Sequence, residues 1–164
     1  MEIMVFDEDI PMSEIGVEMK TIPVDLLEID GNIAIYNNNK YYLKCLSSKP
    51  KEFFIEEVRR LSQIDHLNII RVEALVTSSD DMVLGMMTPL ANKGTLEDNS
   101  NSNLKALWLS QVKDAIGYCK DIGIEYTDIK PKNMVIYDDN AILIDFDGGT
   151  TRDWNMKKFE EYMA

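Results

Sequence analysis

Three shortages in this sequence exclude whole classes of protein. It has one histidine, His66, which excludes any mechanism that needs two. Its two cysteines, Cys45 and Cys119, are far apart and lack metal-ligand spacing, which favours reduced thiols in a cytosolic setting. No apolar run approaches the roughly 18 residues of a membrane helix, and the acidic first residues are unlike a signal peptide. We therefore expect a soluble protein in the cytoplasm, or in a host's cytosol if it is delivered as an effector.

Positive charge is also scarce, because 17 basic residues face 29 acidic ones and the formal net charge is −12. This balance argues against nonspecific binding to nucleic acid or to an anionic membrane. It also implies that a phosphate ligand arrives together with a metal ion. The 164 residues are enough for one domain or for two small lobes.

Residues 126–149 carry the most specific polar pattern in the chain. Asp128 is followed five residues later by Asn133, and Asp145 comes twelve residues after that. The apolar runs 134–137 and 141–144 flank an Asp-Asp-Asn turn, which predicts a β-hairpin that returns Asp145 to Asn133. Two carboxylates and an amide in one place suit Mg²⁺ bound to phosphate. The alternative is an ordinary solvated acidic turn.

The first half of the chain predicts a small sheet and one helix. Residues 24–29, 32–36 and 40–46 read as strands of an antiparallel meander, with Lys44 inside the last one. Taken alone, Lys44 fits the solvent-facing side of its strand. Residues 50–66 have helical spacing, and Glu57 lies near the inner edge of that helix. Glu57 would pair with Lys44 if the helix packs on the sheet.

Further elements are predicted beyond that helix. Residues 69–76 and 81–87 read as strands, a polar loop covers residues 91–103, and residues 154–164 could form a short helix. Residues 104–122 give the clearest helical pattern. Its apolar stripe consists of Leu104, Leu107, Trp108, Val112, Ala115, Ile116 and Cys119.

The motif in residues 126–149 resembles the catalytic and metal-binding loops of eukaryotic-type protein kinases. The matching segments are YTDIKPKN at residues 126–133 and DFDG at residues 145–148. The resemblance covers roughly residues 24–149. It implies an α+β, bilobal kinase-like fold in which residues 24–90 form a small antiparallel sheet lobe with one helix. Residues 91–164 would form a reduced helical lobe that carries the catalytic hairpin, and residues 1–23 an N-terminal extension.

The resemblance also implies ATP and Mg²⁺ as cofactors and assigns roles to nine residues. Asp128 would be the catalytic base and Lys130 would steady the transferring phosphoryl group. Asn133 and Asp145 would hold the metal, and His66 would be a loop residue with no catalytic role. The residues implied in nucleotide binding are Lys44, Glu57, Gly31, Met86 and Met87.

Several positions depart from the family pattern. The glycine-rich phosphate loop is reduced to Gly31, Tyr126 replaces histidine, where its ring could stack on Phe146, and Thr127 replaces arginine. Asp147 stands where the family has glycine. The sequence contains no A-P-E motif, which predicts a miniature form with a truncated C-terminal lobe.

Three functions are compatible with these residues. The first is a minimal Ser/Thr protein kinase with a protein substrate, which the lysine at position 130 favours. The second is a pseudokinase-type module that binds a protein partner. The third is a small-molecule kinase, and the oligomeric state is left open in each case.

Overall fold

The computed structural model describes residues 8–46, 50–149 and 153–164. These residues divide into two compact units. The first falls within Met1–Gln63 and Arg71–Leu90, and the second within Ile64–Ile70 and Ala91–Ala164. Residues 1–7 of the predicted N-terminal extension lie outside the described residues. Residues 64–70 belong to the second unit, although the sequence analysis assigned residues 24–90 to the first lobe. That the two units correspond to the two kinase lobes stays a prediction.

The first unit is built on a mixed sheet with two helices. Its strands are β1 (Ile10–Pro11), β2 (Thr21–Pro23), β3 (Glu28–Asp30), β4 (Ile33–Tyr36), β5 (Asn39–Cys45), β6 (Ala74–Thr77) and β7 (Met82–Pro89). The helices are α1 (Met12–Ile15) and α2 (Lys51–Leu61). The strand order is β2-β6-β7-β5-β4-β3, and β1 pairs with β7.

The strands within residues 24–90, β3 to β7, pair antiparallel as the sequence predicted. A parallel pairing comes from β2, which precedes them in the chain. β2 runs parallel to β6, with Ile22 opposite Val76. Parallel neighbours need a long crossover, and the chain between β2 and β6 contains three other strands and α2, which is ample length. Residues 8–23 thus contribute two strands to this sheet.

Two of the predicted strands are shorter than their apolar runs. The run at residues 24–29 begins with a 3₁₀ turn, Val24–Leu26, in which Leu27 N–H donates to Val24 O, and only its end joins β3. The run at residues 69–76 forms β6 only from Ala74 onward. An apolar run alone does not reveal whether its backbone finds a strand partner.

The core of the first unit lies on both faces of the sheet. One cluster joins α2 to the sheet and contains Ile10, Ile15, Leu46, Phe54, Val58, Leu75, Val83 and Met86. The other contains Ile22, Ala34, Leu43, Ala74, Val76 and Met87. Because side chains alternate along a strand, neighbouring Met86 and Met87 enter different clusters.

The second unit contains α3 (Lys105–Asp121), a hairpin of β8 (Met134–Tyr137) and β9 (Asn140–Leu143), and α4 (Met156–Met163). Short 3₁₀ turns cover Glu97–Asn99 and Pro131–Asn133. The buried face of α3 consists of Trp108, Val112, Ala115 and Cys119. Leu107 is 43% exposed, so the apolar stripe is narrower than predicted. Within the described residues, no helix has the length and apolar character needed to cross a membrane.

Candidate active site

In the first unit, Lys44 forms an ion pair with Glu57. Lys44 Nζ lies 2.7 Å from Glu57 Oε1, and the two side chains are 31% and 3% exposed. α2 places Glu57 on the buried side because Phe54 and Leu61, at helical spacing from it, also face the core. A carboxylate buried this deeply is tolerated only with a partner. The contact expected from the sequence is therefore present.

The other candidate nucleotide-binding residues occupy two different environments. Gly31 lies at the exposed turn between β3 and β4 with φ of 60°, and no atom lies within 4 Å of where its Cβ would be. The glycine is thus needed for its left-handed backbone rather than for a close approach by protein atoms. Met86 and Met87 are 1% and 0% exposed, and in the sheet register Met86 lies opposite Lys44.

In the second unit, the loop before β8 gathers three candidate side chains. Asn133 Nδ2 donates to Asp128 O at 2.9 Å, and Lys130 Nζ lies 3.7 Å from Asp128 Oδ1. The 3₁₀ turn Pro131–Asn133 closes the loop through a bond from Asn133 N–H to Lys130 O. Pro131 suits the first position of that turn because its missing N–H is not needed there. The loop is therefore fixed by its own backbone.

The hairpin returns the chain so that Asp145 lies next to Asn133 in the fold. Ile144 N–H donates to Asn133 O at 2.9 Å, so the residue before Asp145 is hydrogen-bonded to the candidate amide ligand. Asp145 itself has φ of 65°, which is unusual for a residue with a side chain. Such backbone conformations are concentrated at functional sites because surrounding structure must hold them.

The substituted position Tyr126 supports this arrangement. Its hydroxyl donates to Ile144 O at 2.7 Å, and its ring packs against Phe146 with centroids 4.8 Å apart. The stacking on Phe146 was expected from the sequence, but the hydrogen bond was not. Tyr126 is 6% exposed, and a buried tyrosine hydroxyl generally finds an acceptor.

Thr127 and Asp147 form hydrogen bonds with Gly149, in the segment that follows Asp145. Thr127 Oγ1 donates to Gly149 O at 2.8 Å, and Asp147 Oδ1 accepts from Gly149 N–H at 2.9 Å. Asp147 is 5% exposed, so this carboxylate is buried rather than solvated. The Thr127 contact spans 22 residues, so it depends on the return of the chain through the hairpin and no local pattern predicts it. The Asp147 contact is local, because its two residues lie two positions apart.

The donor set fits Mg²⁺ better than a softer metal. Asn133 uses its amide nitrogen on Asp128 O, which leaves the amide oxygen as the atom available to a cation. Within the described parts of the chain, no group of three or more His, Cys, Asp or Glu residues could hold a metal. One amide and one carboxylate suit Mg²⁺, which retains water molecules and is commonly bound through few protein oxygens.

The hairpin turn is anchored to the rest of the second unit by side chains. Asn92 exchanges two hydrogen bonds with Asp138, through Asn92 Nδ2 to Asp138 Oδ1 and Asp138 N–H to Asn92 Oδ1. Lys93 Nζ lies 2.8 Å from Asp139 Oδ1, and this hydrogen bond raises the pKa of Lys93. From α3, Trp108 Nε1 donates to Asp139 O, and Gln111 Oε1 accepts from Ala141 N–H. No sequence pattern had indicated a role for Gln111.

His66 lies in the segment that joins this unit and has a structural role there. Its Nδ1 accepts from Asn68 N–H at 3.0 Å, and its Nε2 lies 2.9 Å from Asp114 Oδ2. Both ring nitrogens are therefore engaged, which agrees with the expectation that His66 is a loop residue.

The family model for the protein kinase domain matches residues 33–163, which is most of the chain. This chain belongs to the protein kinase family. The kinase-like α+β fold expected from the sequence is thereby confirmed.

Known serine/threonine kinases are similar to this kinase domain. The probable serine/threonine-protein kinase fhkC of Dictyostelium discoideum is 28% identical over 85% of this chain and 26% of its own length. Calcium/calmodulin-dependent protein kinase type 1 of Caenorhabditis elegans is 30% identical over 69% of this chain and 36% of its own. The chain therefore spans roughly a quarter to a third of these relatives, and the roles of its site residues stay predictions.

Proposed function

We propose that this chain is an ATP- and Mg²⁺-dependent phosphotransferase that acts on serine or threonine hydroxyl groups of a protein substrate. The observation that carries the proposal is the loop geometry around Asp128. Asn133 holds Asp128 through its backbone oxygen, and Lys130 lies 3.7 Å from the Asp128 carboxylate. No packing requirement calls for an acid, a base and a buried amide in one short turn, but phosphoryl transfer uses all three.

Asp128 would orient the substrate hydroxyl and accept its proton. The hydroxyl oxygen then forms the new bond to the γ-phosphorus, and the bond from that phosphorus to the ADP oxygen breaks. Lys130 would stabilise charge on the phosphoryl oxygens during this transfer. Both effects are positioning and electrostatics rather than covalent catalysis by the protein.

Asn133 and Asp145 would hold the metal, which supplies positive charge against the nucleotide phosphates. Lys44 would bind phosphate oxygens, since its ammonium is a compact charge with three donors. Glu57 would set the direction of Lys44, because the carboxylate is buried on a helix and the lysine is partly exposed. The net charge of −12 makes these cations important for accepting an anionic nucleotide.

The test is phosphate transfer from ATP with Mg²⁺ to serine and threonine peptide libraries and to the chain itself. Asp128→Asn is expected to reduce the rate by about 100-fold or more, because it removes the proton acceptor while keeping the shape. Asp121→Asn is the matched control, since Asp121 is an exposed carboxylate at the end of α3 in the same unit. No transfer by the wild-type chain, or an equal loss in both variants, would contradict the proposal.

A second candidate is a binding module that retains the kinase fold without catalysis. The observation favouring it is the β3–β4 turn, where Gly31 has open space around it and Leu43 N–H donates to Asn32 O. So short a turn offers few backbone donors to phosphates. Thermal unfolding separates the two candidates, because ATP with Mg²⁺ or Mn²⁺ must raise the melting temperature if it binds the folded state. No shift would favour the binding module.

A small-molecule kinase would give a different result in the phosphate-transfer assay. It would turn over ATP only when a metabolite is present, and it would not phosphorylate peptide acceptors. Lys130 favours the protein-kinase alternative, because it resembles the lysine of kinases that act on serine and threonine.

A further inference from the structure

We propose that β1, α1 and Gly16, here called the N-terminal brace (residues 10–16), position α2 so that Glu57 stays on Lys44. Arg59 is the positioning residue that joins the brace to α2. This inference rests on the proposed function only for its kinetic consequence, since the contacts themselves lie within the first unit.

Arg59 connects α2 to the end of α1. Its Nε donates to Ile15 O at 2.8 Å, and its Nη2 donates to Glu14 O at 2.9 Å. The last carbonyls of a helix have no partner within the helix, so a side-chain donor there satisfies groups that would otherwise need water. The planar guanidinium reaches both oxygens at once, which a lysine cannot do in the same way.

Gly16 makes this contact possible in two ways. Its φ of 74° ends α1 in the left-handed conformation that favours glycine. A Cβ at this position would also lie 3.3 Å from Arg59 Nη2, which is tighter than ordinary contact. The backbone and the space around Gly16 are therefore both suited to Arg59.

The brace is also fixed to the sheet that carries Lys44. Ile10 pairs with Val83 of β7, and β7 pairs with β5 so that Met86 lies opposite Lys44. Ile10 and Ile15 are both 0% exposed and belong to the core cluster that includes residues of α2. The brace thus bonds to the sheet at one end and to α2 at the other.

Glu57 and Arg59 hold opposite sides of α2. Two residues correspond to about 200° around an α-helix, so Glu57 faces Lys44 while Arg59 faces away from it, toward α1. Lys51, at the start of α2, adds a weak exposed ion pair with Glu14 at 3.5 Å. Without the Arg59 contact, α2 would be held on the Lys44 side by the ion pair and core contacts alone.

The kinetic test uses Arg59→Gln with Arg71→Gln as the matched control. Arg71 is an exposed arginine of the same unit whose partner, Glu73, lies two residues away. We expect Arg59→Gln to raise KM for ATP about three- to tenfold with kcat within about twofold, because a misdirected Lys44 weakens ground-state binding. A merely structural loss would lower the active fraction, and hence kcat, without raising KM.

A double-mutant cycle tests whether the effect passes through Glu57. In a Glu57→Gln background, Arg59→Gln should leave KM unchanged, since the contact that it positions is already gone. Arg59→Lys should raise KM for ATP less than Arg59→Gln does, because it keeps one charged donor, and it serves as the milder substitution if Arg59→Gln unfolds. The proposal is overturned if KM stays within about twofold of wild type, or if the effect persists in the Glu57→Gln background.

A structural measurement keeps this test separate from the proposed activity. In the chain without nucleotide, Arg59→Gln should speed amide exchange in α2 and shift the NMR signal of the Lys44 ammonium, while Arg71→Gln should do neither. If neither the wild-type chain nor any variant transfers phosphate, the proposed function fails. The amide exchange of α2 and the Lys44 ammonium signal then still test whether the N-terminal brace positions α2. Unchanged signals in Arg59→Gln overturn it.

Discussion

Glu57 and Asn133 are polar residues that are 2% and 3% exposed, and the partner of each explains why burial is tolerated. Glu57 faces Lys44 Nζ at 2.7 Å, and Asn133 donates its amide to Asp128 O. A buried polar atom without a partner destabilises a protein by about 1–3 kcal/mol. Residue spacing had already singled out both positions in the sequence.

Asn133→Ala is expected to lower the free energy of unfolding by about 1–3 kcal/mol in the absence of any ligand. The variant removes the donor to Asp128 O and leaves a small void in a buried loop. Urea-induced unfolding of wild type and variant measures the difference. Asn101→Ala, in the exposed loop before α3, should change stability by less than about 0.5 kcal/mol. Equal effects of the two substitutions would contradict the assigned role of the Asn133 amide.

Cys119 should be inert to alkylation in the folded protein. Burial raises the pKa of Cys119 to about 11, and the side chain is 0% exposed, so very little reactive thiolate exists at pH 8. In a Cys45→Ser variant, iodoacetamide labelling at pH 8 should therefore be slow and should accelerate sharply through the unfolding transition in urea. Rapid labelling in native buffer would show that α3 does not bury this thiol.

The elements that sequence patterns predicted well are those whose signals are local. α2 and α3 follow from helical spacing of apolar residues, and the β8–β9 hairpin follows from two apolar runs around an acidic turn. The runs at residues 24–29 and 69–76 misled because strand formation depends on a distant partner. Ile70 N–H, for example, bonds to Leu143 O in the second unit rather than to a strand of the first.

The two residues of the hairpin turn should respond differently to glycine. Asp138 and Asp139 have φ of 54° and 115°, so both have positive φ, as a type I′ turn requires. Asp139→Gly relieves the more strained position and loses an exposed ion pair with Lys93, whereas Asp138→Gly loses its bond from Asn92 Nδ2. Asp139→Gly should be more stable than Asp138→Gly by about 1–2 kcal/mol.

Comparing these two variants cancels a shared cost. Each glycine adds the same freedom to the unfolded chain, so their difference reports on the folded turn alone. Urea midpoints and slopes measured side by side give this difference. A more stable Asp138→Gly variant would mean that strain at Asp139 is small compared with its contact to Lys93.

At the level of the whole molecule, the chain does not divide at one point. Residues 64–70 belong to the second unit although residues 71–90 return to the first. Leu143 N–H donates to Asn68 O at 2.8 Å, and Asn68 Nδ2 donates to Ala141 O. Ile69 and Ile70 are 5% and 9% exposed, so this segment is buried as well as hydrogen-bonded to the hairpin.

Native-state hydrogen exchange should reveal this discontinuous organisation. The amides of Ile70 and Leu143 are expected to exchange in the same cooperative step as those of α3, because they are bonded within the second unit. The amides of β5 and β7 should form a separate group with its own dependence on urea. Exchange of the Ile70 amide together with the β5–β7 group would contradict this grouping.

The local sequence was sufficient for the kinase resemblance, the hairpin and the two long helices. These features depend on residues close together in the chain, such as Asp128, Asn133 and Asp145, whose spacing and intervening apolar runs already imply a turn and a return. Composition likewise excluded two-histidine chemistry and favoured a metal-assisted phosphate ligand.

Contacts between distant residues were decided only by the tertiary structure. Arg59 reaches Ile15 across 44 positions, and Asn92 reaches Asp138 across 46. No periodicity encodes such a pair, because each partner is an ordinary polar residue until packing of the core brings the two backbones together. The N-terminal brace therefore appears only when α1, α2 and the sheet share one core, as they do here.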